Sequence, residues 1–290
     1  VAASFREHIW RHFRVALPAE WEQLGYALAM NQGRCAFADR YQYRLEVTWR
    51  VVPGPPDFAR ILDGYTAHLR KADAEVALTP ITRSGWEGLA VASTAEPSTR
   101  LGRYFPGERC LVELVVLWPE GRDVALEGRI LQGIADVPAD AQGLRRWRAY
   151  GLDLRVAEGM SLQSCRVEPA NVRLQFGAGA ERQATFVRVG LLDYWLRGTP
   201  AAWLRTQLPA GARVQTEATE QRGSHAVIAL TGTLTTPRWL TLVGRRPQLQ
   251  AWGWRCPTDG RLYAEIRVTP SRTPPAPCRL TCCAGGEGPR

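Results

Sequence analysis

An alternating strand followed by an amphipathic helix fills much of residues 13–69, and the same order returns in the second half of the chain. Tyr41, Tyr43, Leu45, Val47 and Trp49 alternate with Gln42, Arg44, Glu46 and Thr48, the period of two of a strand with one face in a core and one in water. Pro53-Gly54-Pro55-Pro56 ends the strand, and Asp57 is placed to cap a helix. Phe58, Ile61, Leu62, Tyr65 and Leu69 then recur on one helical stripe. At an offset of 142 residues, Thr185, Val187, Val189 and Leu191 repeat the alternation. Thr199-Pro200 then opens a helix carrying Trp203, Leu204 and Leu208. Each helix needs a sheet to receive its stripe, so the expected fold is α+β: two tandem antiparallel sheets, each with packed helices.

Other stretches complete the outline. Phe5, Ile9 and Phe13 predict a helix over residues 4–13, with His8 and His12 four apart on its other face. That spacing suits a metal, but no third ligand is nearby, and a solvated face explains it as well. Strands are expected near residues 76–81 and 86–94. A hairpin is expected from residues 110–118, through Pro119-Glu120-Gly121-Arg122, into residues 123–134. Thr258-Asp259-Gly260-Arg261 matches that turn at an offset of 139. Residues 135–144 read as a linker. The expected organisation is a first repeat with its N-terminal helix over 1–139, a second repeat over 140–272, and a Pro/Gly/Cys-rich tail over 273–290.

The run Phe13-Arg14-Val15-Ala16-Leu17-Pro18-Ala19-Glu20-Trp21-Glu22, the segment Ala36-Phe37-Ala38-Asp39, the alternating strand and the helix together resemble the start of a Mog1/PsbP-like domain. The resemblance covers residues 13–69, and elsewhere only the order of elements. The second copy has Val156-Ala157-Glu158-Gly159-Met160 in place of the Leu-Pro-x-x-Trp turn. It implies an antiparallel sheet flanked by helices, and proteins that act by binding other proteins as assembly factors or accessory subunits. No active-site residues come with it.

The net charge of +9 is unevenly spread. Residues 1–139 hold 16 basic and 17 acidic side chains, whereas residues 140–290 hold 21 and 11. The second repeat therefore suits a partner with an acidic surface. Its Arg197, Trp203, Arg205, Arg238, Trp239, Arg245, Arg246, Trp252, Trp254 and Arg255 interleave arginine with tryptophan. That mixture serves protein interfaces, core packing or the stacking of single-stranded nucleic acid. No apolar run approaches the roughly 18 to 20 residues of a membrane span. The first 14 residues carry charges and histidines where a secretory signal needs an apolar centre, so a cytoplasmic placement is expected.

Catalytic signatures are missing: no Gly-x-Ser-x-Gly, phosphate-binding Gly-x-x-x-x-Gly-Lys, Gly-x-Gly-x-x-Gly or His-Glu-x-x-His. Four histidines, His8, His12, His68 and His225, leave few candidate bases. Cys35, Cys110 and Cys165 are isolated in apolar sequence and read as buried thiols. Cys256, Cys278, Cys282 and Cys283 crowd the last 35 residues, and their spacing leaves a zinc site, disulfides and plain thiols all open. The expectation is a non-catalytic protein-binding or structural accessory subunit without an obligatory cofactor. A nucleic-acid-binding accessory protein and a metal-binding protein are the alternatives.

Overall fold

The computed structural model describes residues 4–93, 97–179, 182–235, 247–270, 278–283 and 286–287, with Trp195 and residues 286–287 described by backbone alone. The chain divides into two compact units, Val1–Val137 and Pro138–Arg290.

A hairpin of β1 (Phe5–Trp10) and β2 (Phe13–Pro18) opens the first unit, with Phe5 across from Pro18 and Trp10 across from Phe13. The helix expected over residues 4–13 is therefore a strand and a turn. Arg11, at φ 56, makes the reversal with His12. Ile9, Trp10, Phe13, Val15 and Leu17 all become buried, because a partner strand rewards β-branched and aromatic residues that helical spacing fits equally well. His8 sits in the strand with its ring edge-on to Phe37, and His12 contacts Glu108 from the turn, so the two do not form a helical pair.

The main sheet of this unit comprises β3 (Glu22–Tyr26), β4 (Gln32–Ala38), β5 (Tyr43–Val51), β6 (Ala77–Arg83), β7 (Trp86–Ala92), β8 (Ser98–Phe105) and β9 (Cys110–Leu117). Their spatial order is β3-β4-β5-β9-β8-β7-β6, every neighbour antiparallel. Leu45, Val47 and Trp49 are buried as the alternation requires; Tyr43 is exposed at the strand's start, and Tyr41, expected within the strand, is exposed in the bend before it. Helix α1 (Phe58–Ala72) follows β5, and the Asp57 side chain accepts a hydrogen bond from the Arg60 amide at 3.1 Å. Residues 123–134, expected as a hairpin arm, form helix α2 (Val124–Gly133) instead. Asp123 accepts from the Ala125 and Leu126 amides at 3.0 and 2.9 Å. This cap starts a helix whose Ile130 and Leu131 are fully buried. Strand β10 (Ala135–Asp136) then pairs with β2.

The second unit begins with another hairpin, β11 (Leu144–Ala149) and β12 (Leu152–Ala157). Its main sheet comprises β13 (Ser161–Glu168), β14 (Asn171–Ala178), β15 (Arg182–Val189), β16 (Ala212–Arg222), β17 (His225–Leu234), β18 (Gln248–Arg255) and β19 (Leu262–Thr269). The spatial order is β13-β14-β15-β19-β18-β17-β16, again antiparallel throughout. Helices α3 (Leu192–Trp195) and α4 (Pro200–Gln207) stand between β15 and β16, where α1 stands in the first unit. Thr199 caps α4 through the Ala202 amide at 3.2 Å. Strand β20 (Cys278–Cys283) pairs with β12, and β21 (Gly286–Glu287) with β20.

This is an α+β fold in which two seven-stranded antiparallel sheets share one strand order. The likeness extends to a detail of packing. Gly102 on β8 lies under Phe58 of α1, and Gly253 on β18 lies under Leu204 of α4. An added Cβ would come within 2.9 Å and 3.1 Å of those side chains. The turn equivalence expected from sequence is off by one element. Residues 258–261 join β18 to β19, whereas residues 119–122 lead from β9 into α2.

Candidate metal centre and apolar cleft

In the second unit, His225, Cys256, Cys282 and Cys283 bring one ligand atom each within 4.8 Å of one another. Three pieces of backbone build the cluster. His225 opens β17 just after Gly223 (φ 56). Val227 lies across from Trp254 in the β17–β18 ladder, and continuing that register by two residues sets His225 opposite Cys256. Cys256 is held at the base of the β18–β19 turn: its amide donates to the Arg261 carbonyl at 2.8 Å, and its carbonyl accepts from the Gly260 amide at 2.9 Å. Cys282 and Cys283 come from the end of β20. Neighbours on a regular strand point to opposite faces, but the β20–β21 register slips between Thr281 and Cys283. A bulge of this kind re-aims a side chain, and both sulfurs reach the histidine.

Cys282 Sγ is 3.3 Å and Cys283 Sγ 3.7 Å from His225 Nε2, and the two sulfurs are 3.9 Å apart. The Trp254 indole N–H donates to Cys282 Sγ at 3.3 Å, and Ser224 Oγ lies 3.4 Å from His225 Nδ1. His225 and Cys256 are buried and the other two half-buried. Burial pushes the Cys282 thiol up to about 12, since a thiolate there would be poorly solvated. Soft thiolates and an imidazole converging in this way can hold a metal ion. No disulfide joins any of the seven cysteines, all of which are described; Cys35 and Cys110 are buried and Cys165 half-buried.

Of the four cysteines expected to bind a metal, three come together; Cys278 does not. It is buried four residues back along β20, where its carbonyl accepts from Arg267 at 2.7 Å. His225 takes its place, a residue separated from the others in sequence and supplied by strand register.

The first unit carries a different feature. No residue of α1 is buried, although its apolar stripe faces the sheet. Between helix and sheet lies a cleft of about 620 Å³, lined by Trp49, Phe58, Ile61, Leu62, Tyr65 and Leu101, among others, with Arg50, Arg100, Glu46 and Glu113 contributing polar lining. A cleft of this size falls within the ordinary range for binding sites. In the second unit Leu204 of α4 is fully buried in a core cluster that includes Leu230, Ala251 and Ile266, and Leu196, Trp203 and Leu208 pack against that cluster.

The arginine and tryptophan residues expected to bind a partner separate by environment. Arg197, Arg205 and Arg255 are exposed, and Arg205 pairs with Glu217 at 2.6 Å. Trp203 packs against the core. Trp252 lies 5.9 and 5.0 Å from the guanidinium groups of Arg222 and Arg267. Trp254 is buried and stacks on Tyr263. Arg238, Trp239, Arg245 and Arg246 fall outside the described residues. Among the described residues no helix is long and apolar enough to cross a membrane.

No protein-family model matches the chain, and no curated protein does. Among solved structures, the apo form of the immunity protein TplEi of T6SS from Pseudomonas aeruginosa is similar at 12% identity and a TM-score of 0.35, covering 93% of this chain and 90% of that one. The same immunity protein complexed with "L" peptide is similar at 14% identity and a TM-score of 0.31, covering 94% and 90%.

Proposed function

We propose that the chain is a non-catalytic protein-binding module, an accessory subunit of a larger assembly, which takes an apolar segment of its partner into the cleft beneath α1. The observation that carries this reading is the contrast between two sheets of one strand order, one covered by a helix that buries Leu204 in the core and the other by a helix with no buried residue. Filling the cleft of the first unit would bury apolar surface at about 25 cal/mol per Å². A partner's side chains would supply what Leu204 and its neighbours supply in the other unit.

Charge supplies the partner's sign. Carboxylates of the second unit are spent on its own arginines: Asp153 on Arg146 and Arg148, Asp259 on Arg261, Glu265 on Arg267. The basic excess is left to surface residues such as Arg197 and Arg255, which favour an acidic protein surface. Arg238, Trp239, Arg245 and Arg246 join this proposed face on sequence grounds. The shared strand order supports duplication of a Mog1/PsbP-like domain, with repeats over 1–139 and 140–272 and a tail over 273–290. Seven cysteines without a disulfide suit a reducing compartment such as the cytoplasm.

Native mass spectrometry of the chain isolated gently from its source tests the proposal. A stoichiometric complex is expected, and Leu62→Asp with Tyr65→Asp should release the partner while circular dichroism is unchanged. A lone 32.3 kDa monomer would sink the idea. Oligonucleotide binding that falls steeply with salt would replace it with the nucleic-acid reading.

A further inference from the structure

Independently of the cleft, we propose that His225, Cys256, Cys282 and Cys283 bind one Zn²⁺ in a closed Cys3His site that fastens β20 to the end of the second unit's main sheet. The argument is geometric. Zinc holds sulfur at about 2.3 Å and imidazole nitrogen at about 2.0 to 2.1 Å in a tetrahedron, whose edges are then about 3.8 Å between sulfurs and about 3.5 Å between sulfur and nitrogen. Three of the six edges are 3.9 Å between the Cys282 and Cys283 sulfurs and 3.3 and 3.7 Å from those sulfurs to His225 Nε2, and Cys256 Sγ lies within 4.8 Å of all three atoms. A disulfide would require the sulfurs at about 2.05 Å. Hydrogen bonds alone do not call for three thiols and an imidazole to face one point.

The surroundings are those of a metal site as well. A ligating histidine ordinarily donates its other N–H to an acceptor, and Ser224 Oγ stands 3.4 Å from Nδ1, which leaves the Nε2 lone pair for the ion. The Trp254 indole N–H at 3.3 Å from Cys282 Sγ stabilises the thiolate that zinc binding creates. Binding is a ligand exchange without redox chemistry: three thiol protons leave to solvent as three sulfur–zinc bonds form, and the ion changes no oxidation state. Four protein ligands leave no position for water or substrate, so the site is structural rather than catalytic. Its ligands come from the start of β17, the β18–β19 turn and the end of β20, and β20 in turn pairs with β12. The ion therefore ties two sheets of the unit together at a point where the chain otherwise has a short strand to hold it.

The full chain, purified without chelator and analysed by elemental mass spectrometry, is expected to hold one zinc per chain. Co²⁺ added in its place should give the visible spectrum of a tetrahedral ion with three thiolates. Alkylation should spare Cys282 and Cys283 until zinc is stripped, while Cys165 reacts equally before and after. Cys278→Ser should keep one equivalent. Ser224→Ala should lower zinc affinity by about 10-fold, and Cys256→Ser by more than that. If a ligand variant fails to fold, the Co²⁺ spectrum and alkylation pattern of the unaltered chain still decide. A folded chain that takes up no zinc or Co²⁺, one that holds iron or copper instead, or one that needs Cys278 for full loading would overturn the assignment.

Discussion

Truncating one leucine in each unit measures whether the two helices differ in solution as they do in the fold. Leu204, on α4, is fully buried in the core cluster that includes Leu230, Ala251 and Ile266. Leu204→Ala removes that packing and leaves a hole, which for a buried leucine costs about 2 to 5 kcal/mol. Leu62 on α1 already borders the cleft and is only partly buried, so Leu62→Ala forfeits a fraction of its transfer energy, about 1 kcal/mol or less. With a urea m-value of about 2 kcal/mol/M, a 3 kcal/mol loss moves the midpoint of the second unit by about 1.5 M, against about 0.5 M or less for the first. Each unit has its own core, so the transitions are followed separately by tryptophan fluorescence together with amide exchange read peptide by peptide. Equal costs at the two positions would mean that α1 is sealed onto its sheet in solution, and the argument for a binding cleft would fall.

The paired glycines give an independent version of the same test. Gly253→Ala drives a Cβ to 3.1 Å from Leu204, a fully buried side chain, and should cost about 1 to 2 kcal/mol, whereas at Gly102 the half-buried Phe58 ring borders the cleft and can shift into it, so Gly102→Ala should cost less than half as much in urea titrations. Thr199→Ala removes the α4 cap and is expected to lower the second unit's stability by about 1 kcal/mol, measured in the same way. Burial pushes Glu265 from 4.5 up to about 7 against the opposing pull of Arg267. The folded chain thus holds this proton more tightly than the unfolded chain. Its contribution to stability is complete below 4.5, declines as pH rises to about 7 and is constant above, so Glu265→Gln should flatten the urea midpoint across that window. Charge reversal at Arg197 and Arg255 should weaken the partner complex and reduce its salt dependence, read by native mass spectrometry at two ionic strengths.

How far the sequence speaks depends on whether a residue pattern admits one periodicity or two. Leu45, Val47 and Trp49 alternate with charged and polar residues, and no helix could bury that set on one side, so β5 is legible. Asp57 and Thr199-Pro200 are local signals that need no partner, and both caps form. Residues 4–13 fit a helix and a strand alike, and β2 decides between them. Residues 123–134 fit both as well, and there the Asp123 cap decides for the helix. The metal ligands expose the same dependence. Cys278 and Cys282 are four residues apart, which on a helix would stack them one turn apart on one face, within reach of one ion. On β20 they still share a face, yet at about 3.3 Å per residue they stand about 13 Å apart, too far to share an ion. Cys282 and Cys283, unpromising neighbours on a regular strand, are brought together by the bulge, and His225 arrives through the β17–β18 register. Once residues 278–283 are a strand, Cys278 is excluded on distance alone, so full zinc loading of Cys278→Ser tests the strand assignment and the ligand set in a single measurement.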